Sequence, residues 1–389
     1  MAYIQIAMKL KLISCALLFV AALSAFTIIP PGKKASPHRR KKPELKVYQD
    51  DNVTRFFNRS QGWIASDGAI TVPLTDGNSL WLMGDSHFND YDPKTATVPC
   101  LFQVRNCALL QPKDDWNWMH TTTFIGNGPG IRSYFKFNPS DTYFSWPGAG
   151  VQIGDTVYVY CSNLKKHDNT VWGWGSGGMP MWAKIKYPEM EVKGYTPIQD
   201  LGGMDFGFGM IKDEKAGFVY VYGCKLSGIK GNIYVARFPI SNIYAKWKFW
   251  DGKDWDEDMS KMVSICTAPS NSVSICKVKN KYLLFTSEFS VECDQGTRIF
   301  VAEASSLLGP FSSHKVIYSI PDRKEGHSPF FYGVFAHPED VNNKGELLVT
   351  YDINGYGKCA VDCVDGRSDP NVYRPRGIRV PLKLIDPAL

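Results

Sequence analysis

The stretch FVYVYGCK at residues 218–225 has four close counterparts elsewhere in the chain. The counterparts are SLWLMGDS at 79–86, TVYVYCSN at 156–163, KYLLFTSE at 281–288 and ELLVTYDI at 346–353. With Leu80, Val157, Val219, Leu283 and Leu347 taken as equivalent, successive steps are 77, 62, 64 and 64 residues. A nearly constant step of this kind indicates an internal repeat. Alternating apolar residues of this length predict β-strands.

Each of these five strands follows a turn that contains Gly, Asn or Asp, and each turn follows another apolar stretch. Those earlier stretches read AITVPL, GAGVQI, FGFGMI, NSVSICKV and YGVFAHPE. Two strands joined by such a turn predict a β-hairpin. A third strand follows in most units: MWAKIKYP at 181–188, NIYVARFP at 232–239, TRIFVAEA at 297–304 and RGIRVPLK at 376–383.

Five antiparallel units of this size account for nearly everything from Trp63 to Leu384. Radial repetition of such units avoids exposed sheet edges. We therefore predict an all-β fold, a five-bladed β-propeller over residues 47–389. A two-sheet sandwich is the alternative, but it would not explain five similar hairpins at nearly equal steps.

The N-terminus has the pattern of an export signal. Lys9 and Lys11 precede an uncharged apolar run from Leu12 to Ile29, and small residues surround Ser24. This pattern predicts a signal peptide over residues 1–25. A basic, proline-rich linker follows over residues 26–46. We expect a secreted, periplasmic or cell-envelope protein without stable membrane insertion after cleavage, although an uncleaved anchor is the alternative.

Charge and cysteine content exclude some kinds of site. The formal net charge is +6, yet the run from Lys33 to Lys42 alone carries six positive charges. The remainder is nearly neutral, so we expect no nucleic-acid partner, and we expect a monomer. Nine cysteines follow the signal, with Cys100 near Cys107 and Cys359 near Cys363. An odd number leaves at least one thiol unpaired within the chain, and the spacing does not match a zinc site.

In a propeller, the first strand of each unit lines a central funnel and brings together residues that are distant in sequence. Polar and aromatic residues at those positions are therefore candidates for a site. They are Asp67, Asp85, Trp146, Gln152, Asp205, Asn271, Glu288, Glu292, His337, Glu339 and Asp352. Each also has a structural interpretation: Asp67 and Asp85 suit turns, a tryptophan suits the core, and a lone histidine is usually a structural donor.

Several acids around one funnel match the needs of glycosidic bond hydrolysis. That reaction uses two carboxyl groups, one protonated and one ionised. Mutual repulsion can raise the pKa of one of them enough to keep it protonated. The 11 Trp, 19 Tyr and 22 Phe of the chain offer faces for sugar rings. We predict that Asp67, Asp205 and Glu288 are catalytic, and that substrate contacts Asp85, Trp146, His337, Glu339 and Asp352.

Four segments together suggest relatives: SDGAITVPLTDGNSLWLMGDS, FGFGMIKDEKAGFVYVYG, VAEASSLLGPFSSHKVIYSIP and YGVFAHPEDVNNKGELLVTYDIN. They resemble exported propeller families of Bacteroidota that are related to endo-D-arabinanases. More distantly, they are similar to the arabinanase, xylosidase and fructosidase group of five-bladed glycosidases. The resemblance extends from about Trp63 to Pro381, and it implies an oligo- or polysaccharide partner.

The resemblance also implies roles for some residues. Asp67 would be the base or nucleophile, and His337 would organise water or a Ca²⁺ ion at the centre of the funnel; no other cofactor is expected. The relatives place the acid, a glutamate, in a middle blade, where this chain offers Asp205, Glu288 or Glu292.

The leading hypothesis is therefore a glycoside hydrolase that acts on a furanose-containing or related polysaccharide. A non-catalytic carbohydrate-binding propeller and, less favoured, a protein-interaction propeller of an envelope complex are the alternatives.

Overall fold

Short strands with alternating burial make up most of the computed structural model, which describes residues 45–127, 131–170, 173–355 and 363–389. The predicted signal, nearly all of the linker, and Cys359 lie outside the described residues. The strands of the first half are β1 (Tyr48–Gln49), β2 (Trp63–Ser66), β3 (Ile70–Pro73), β4 (Ser79–Met83), β5 (Ser86–Phe88), β6 (Val98–Pro99), β7 (Val104–Gln111), β8 (Thr122–Phe124), β9 (Arg132–Ser133), β10 (Tyr143–Phe144), β11 (Pro147–Ile153), β12 (Thr156–Cys161), β13 (Leu164–Lys166), β14 (Trp174–Ser176), β15 (Met181–Lys186) and β16 (Glu191–Pro197).

The second half continues the same pattern. Its strands are β17 (Met210–Asp213), β18 (Phe218–Ser227), β19 (Lys230–Pro239), β20 (Lys248–Trp250), β21 (Trp255–Asp256), β22 (Cys266–Ala268), β23 (Val273–Val278), β24 (Lys281–Ser287), β25 (Arg298–Ala304), β26 (Lys315–Ser319), β27 (Phe330–Val341), β28 (Glu346–Asn354), β29 (Cys363–Val364), β30 (Arg367–Ser368) and β31 (Arg376–Pro381). The helices are α1 (Asp51–Phe57), α2 (Leu382–Ile385) and 3₁₀ turns at Trp118–His120, Met259–Lys261 and Pro370–Val372. The predicted all-β class is confirmed.

Five antiparallel sheets contain the five predicted hairpins. Sheet 1 is built on β3–β4–β7, sheet 2 on β11–β12–β15–β16, sheet 3 on β17–β18–β19–β20, sheet 4 on β23–β24–β25–β26 and sheet 5 on β27–β28–β31–β1. The four predicted third strands are β15, β19, β25 and β31. The third strand of sheet 1, β7, lacks a predicted counterpart, because a connection of about twenty residues with its own short strands separates it from β4.

The first strands of these sheets contact one another in a closed cycle. β3 contacts β11, β11 contacts β17, β17 contacts β23, β23 contacts β27, and β27 contacts β3 again. All five strands line one cavity of about 390 Å³. The alternative architecture, a sandwich, has two stacked layers and would not give this cycle.

The apolar core lies between neighbouring sheets. Among the described residues, one buried cluster separates each adjacent pair of sheets around the cycle. The cluster between sheets 5 and 1 includes Leu348, Trp63 and Trp81, and α1 adds Phe56 and Phe57 to it. Burial of large aromatic side chains is a major source of stability, so α1 is an integral part of this core.

The two ends of the described chain meet in sheet 5. β1 pairs with β31, with Tyr48 opposite Arg379 and Gln49 opposite Ile378. Asp50 caps α1 by accepting from the backbone N–H groups of Asn52 and Val53, and its carboxylate also accepts from Arg379 at 2.6 Å. This ion pair ties the start of α1 to the last strand.

Cysteine pairing differs from sequence proximity. Cys100 forms a disulfide with Cys363, across 263 residues of sequence, whereas Cys107 is a free, buried thiol. Within the described ranges, no helix has the length and apolar character needed to cross a bilayer.

Candidate active site

Asp67 lies on the tight turn between β2 and β3, where sheet 1 meets sheet 5. Its Oδ2 accepts a hydrogen bond of 2.9 Å from the Tyr332 hydroxyl on β27. A Cβ atom at Gly84 would lie 2.2 Å from Asp67 Oδ1, so glycine there leaves the space that the carboxyl group fills. Burial raises the pKa of Asp67 to about 6, while the hydroxyls of Tyr332 and Tyr373 oppose this rise.

Asp352, on β28, is the second carboxyl group of the cluster. Its side chain is buried, and its Oδ2 accepts 3.0 Å from the backbone N–H of Gly68. Burial and the neighbouring Asp67 charge raise its pKa well above the usual value.

Asp85, between β4 and β5, is the third carboxyl group. Its two oxygens accept from Arg105 Nη1 at 2.9 and 3.1 Å, and Oδ1 also accepts from Trp146 Nε1 at 3.4 Å. Burial is the main cause that raises its pKa to about 7; Arg105 lowers the pKa and Asp67 raises it. Asp67, Asp85 and Asp352 therefore form one interacting group, which is called the acid cluster below.

Aromatic rings lie beside the acid cluster. Trp146 and Trp174 meet edge to face, with 4.8 Å between ring centroids, and both are partly exposed. Arg105 lies over Phe102 and Phe144 at 4.5 and 4.2 Å. Partly exposed indole faces next to carboxylates can hold the apolar face and the hydroxyls of a sugar ring at the same time.

The two other predicted catalytic acids have different partners. Asp205, just before β17, accepts 2.8 Å from the Gly207 N–H and also interacts with the Tyr160 hydroxyl. Asp205 is an exposed residue, yet desolvation by its surroundings raises its pKa. Glu288, just after β24, pairs with Arg298 and accepts from the Thr297 N–H at 3.1 Å. Arg298 is the main cause that lowers the pKa of Glu288.

His337 is buried between sheets 1 and 5. Its Nδ1 lies 2.7 Å from Thr71 Oγ1, and its Nε2 lies 2.9 Å from Thr350 Oγ1. Burial lowers its pKa to about 3, so the ring is neutral at pH 7. A direct Ca²⁺ ligand is usually an oxygen atom, and both nitrogens of the His337 ring are already hydrogen-bonded. The ring therefore does not suit the role of a direct Ca²⁺ ligand.

Metal binding by His337 stays a prediction. Among the residues the structure describes, no three His, Cys, Asp or Glu side chains are arranged to hold a metal ion.

Glu339 lines the central cavity, where it is exposed to the lumen. Desolvation by the walls of the cavity raises the pKa of Glu339 to about 7, whereas a hydrogen bond from Thr71 lowers it.

Three members of the site were missed from the sequence: Tyr332, Tyr373 and Arg105. Tyr332 could have been found, because YGVFAHP in the fifth unit aligns with DGAITVP in the first and places Tyr332 at the position of Asp67. Arg105 and Tyr373 lie in segments without repeat equivalents. Their contacts arise only when distant segments fold together.

Solved structures include chains that are similar to this one. A candidate hydrolase of Bacteroides ovatus is 19% identical, with a TM-score of 0.69 and coverage of 87% of this chain and 92% of that one. An α-L-arabinofuranosidase of Lactobacillus brevis is 12% identical, with a TM-score of 0.46 and coverage of 84% and 93%. A thermostable family-43 glycoside hydrolase is 15% identical, with a TM-score of 0.44 and coverage of 82% and 91%.

Sequence comparison identifies the family. A search of curated proteins found no match. Residues 50–382 match the "Domain of unknown function (DUF5005)". This range includes the whole acid cluster and all five sheets, apart from strand β1. The chain belongs to the DUF5005 family.

Proposed function

We propose that this protein is a five-bladed β-propeller glycoside hydrolase that cleaves a furanose-containing or related polysaccharide. The observation that carries the proposal is the acid cluster, in which sheets 1 and 5 bring buried and partly buried carboxyl groups with raised pKa values beside partly exposed indoles. The closed cycle of five first strands supports the propeller. Kinship with the endo-D-arabinanases and an origin in Bacteroidota stay predictions.

Asp67 is the proposed base or nucleophile. With a pKa of about 6, its carboxyl group is mostly ionised at pH 7 yet basic enough to accept a proton. The Tyr332 hydroxyl holds Oδ2 of this carboxyl group in place. Asp67 would either deprotonate a water molecule or attack the anomeric carbon directly, depending on its distance from the acid.

Asp205 is the better of the two predicted proton donors. Its pKa is raised by desolvation, whereas Arg298 holds Glu288 in the ionised form. In the reaction, Asp205 would protonate the glycosidic oxygen as the bond to the anomeric carbon breaks, and water would supply the hydroxyl of the new reducing end. Asp85 and Trp146 would orient the sugar.

Two substitutions test these roles. D67N and D205N are each expected to reduce the release of reducing ends from a glycan panel by about 100-fold or more. An aryl glycoside with a good leaving group needs no acid, so it should restore cleavage by D205N but not by D67N. D51N, at an exposed position on α1, is the matched control.

Two outcomes would contradict the proposal. Full activity of D67N would remove Asp67 from the mechanism. Glycan binding in calorimetry without cleavage by the parent protein would favour the non-catalytic carbohydrate-binding alternative.

Export is part of the proposal. The Cys100–Cys363 disulfide supports it, because disulfides persist mainly in oxidising compartments. Mass spectrometry of the protein recovered outside the cytoplasm should find an N-terminus near Ser24. Recovery of full-length protein in the membrane fraction would favour the uncleaved anchor.

A further inference from the structure

Asp352 has an unusual environment for a carboxyl group. The residue is 2% exposed, and among the described residues its Oδ2 has a single donor, the Gly68 backbone N–H. Its Oδ1 is buried and has no hydrogen-bond partner in the described part of the chain. A buried carboxylate normally needs several donors or a cation to offset the loss of hydration.

The ionisable groups that face Asp352 in the described chain include one acid and supply no positive charge. They are Asp67, from the turn before β3, Tyr332 on β27, and Tyr373. Asp67 carries a negative charge in the proposed mechanism, and the two tyrosines are neutral donors that interact with Asp67. Within the described ranges, Asp352 has no ion pair, whereas Asp85 is paired with Arg105.

The backbone is shaped to hold this carboxyl group against the Asp67 turn. Gly333 has a φ of +58°, and a Cβ atom there would lie 2.0 Å from Asp352 Oδ2. Gly68 has a φ of +99°, and a Cβ atom there would lie 2.9 Å from the Gly84 nitrogen. Glycine at both positions therefore lets Oδ2 reach the amide that follows Asp67.

We propose that Asp352 retains its proton at neutral pH and is a positioning residue for Asp67, because it holds the Asp67–Gly68 turn through the Gly68 amide. The proton sits on Oδ1, and Oδ2 accepts from Gly68. A neutral Asp352 leaves Asp67 as the ionised member of this pair. The role of Asp67 rests on the proposed function, whereas the protonation of Asp352 can be tested without any substrate.

Stability as a function of pH tests the proton directly. A carboxyl group whose folded pKa is raised stabilises the fold fully below its unfolded pKa and loses that contribution as pH rises toward the folded pKa. D352N has no such group. The quantity to measure is the equilibrium constant for unfolding of D352N in urea, divided by that of wild type. From pH 5 to 8, this ratio should fall by up to about tenfold per pH unit.

D251N is the control for this experiment. Backbone N–H groups of Asp254 and Lys253 lower the pKa of Asp251, so the gap between D251N and wild type should stay flat from pH 5 to 8. A flat gap for D352N as well would overturn the proposal. If D352N does not fold, infrared spectra of wild type decide: a protonated carboxyl band should be present at neutral pH, and its absence there would overturn the proposal.

Activity tests the positioning role. D352N keeps an acceptor for Gly68 and stays neutral, so we expect it to lose less kcat than D352A and to keep the acidic limb of the wild-type pH profile. D352A loses the acceptor and should lose at least tenfold in kcat. A loss in D352N as large as that in D352A, or an acidic limb that moves to lower pH, would overturn the proposal. If wild type cleaves no glycan, the proposed function fails while the stability result still stands.

Discussion

One hydrogen bond joins Tyr332 of sheet 5 to Asp67 of sheet 1, and it favours the ionised form of the carboxyl group. Y332F removes this donor. A hydrogen bond to a charged group contributes about 1.5–3 kcal/mol, which corresponds to about one to two pKa units. We expect the pKa of Asp67 to rise above about 6. Because Asp67 must be ionised, the acidic limb of kcat/KM should move to higher pH.

The pH profile of Y222F provides the comparison, since the Tyr222 hydroxyl is buried but donates to the Leu307 carbonyl in another part of the fold. Its acidic limb should match that of wild type. An unmoved limb in Y332F would mean that another group controls ionisation on the acidic side.

Gly84 is a second residue whose identity the site requires. In G84A, the new methyl group would overlap Asp67 Oδ1, so the carboxyl group must move. We expect a loss of about 100-fold in kcat, because displacement of a reacting group by about 1 Å can cost this much. Circular dichroism should show an intact fold. G175A is the control, since among the described residues a Cβ atom there meets only His167, at 3.4 Å. Equal activity of G84A and wild type would contradict the placement of Asp67.

The sequence predicted individual site residues unevenly. Asp67 could be predicted because it lies at the start of a repeat unit, and the repeat can be recognised from the sequence alone. Asp85 also follows from the repeat, but its partner Arg105 comes from β7, which lies beyond a long irregular connection. Glu288 illustrates the limit: its acidic side chain follows a predicted strand, yet Arg298 across the hairpin makes it an ion pair.

At the scale of elements, hairpins were predictable and long-range pairings were not. A strand, a turn and a strand are adjacent in sequence, so β23–β24 and β27–β28 follow from alternation and turn residues alone. β1 consists of only Tyr48 and Gln49, and its partner β31 lies at the other end of the chain. Two residues carry too little pattern to specify such a partner.

The attachment of α1 to sheet 5 gives a prediction at this scale. D50A removes the N-cap of α1 and one partner of the buried Arg379. Caps contribute about 1 kcal/mol and broken buried ion pairs cost about 3–5 kcal/mol. Since Asp340 still pairs with Arg379, we expect a loss of about 3 kcal/mol in the free energy of unfolding in urea. D51A, at the next and exposed position, should change it little; equal effects would contradict this role of Asp50.

At the scale of the whole molecule, the cycle of first strands explains why the site is distributed along the sequence. Each sheet buries its faces against two neighbours, so the apolar cluster between sheets 5 and 1 forms only when these two sheets meet. Asp67 and Tyr332 are brought together at that same junction, although 265 residues separate them. Closure of the cycle and assembly of the candidate site are therefore one event.

The Cys100–Cys363 disulfide spans nearly the same separation, and the cross-link should stabilise the closed fold. A disulfide restricts the unfolded chain more as the loop it closes becomes longer, and typical contributions are about 2–5 kcal/mol. C100A/C363A should therefore lower the free energy of unfolding in urea by about 3–5 kcal/mol. Reduction of wild type with a thiol should lower it at least as much, because the thiol also reduces the disulfide of Cys293. C266A removes a free, partly buried cysteine and should have a smaller effect. If the double variant matched C266A, the closed cycle would hold without the help of the Cys100–Cys363 cross-link.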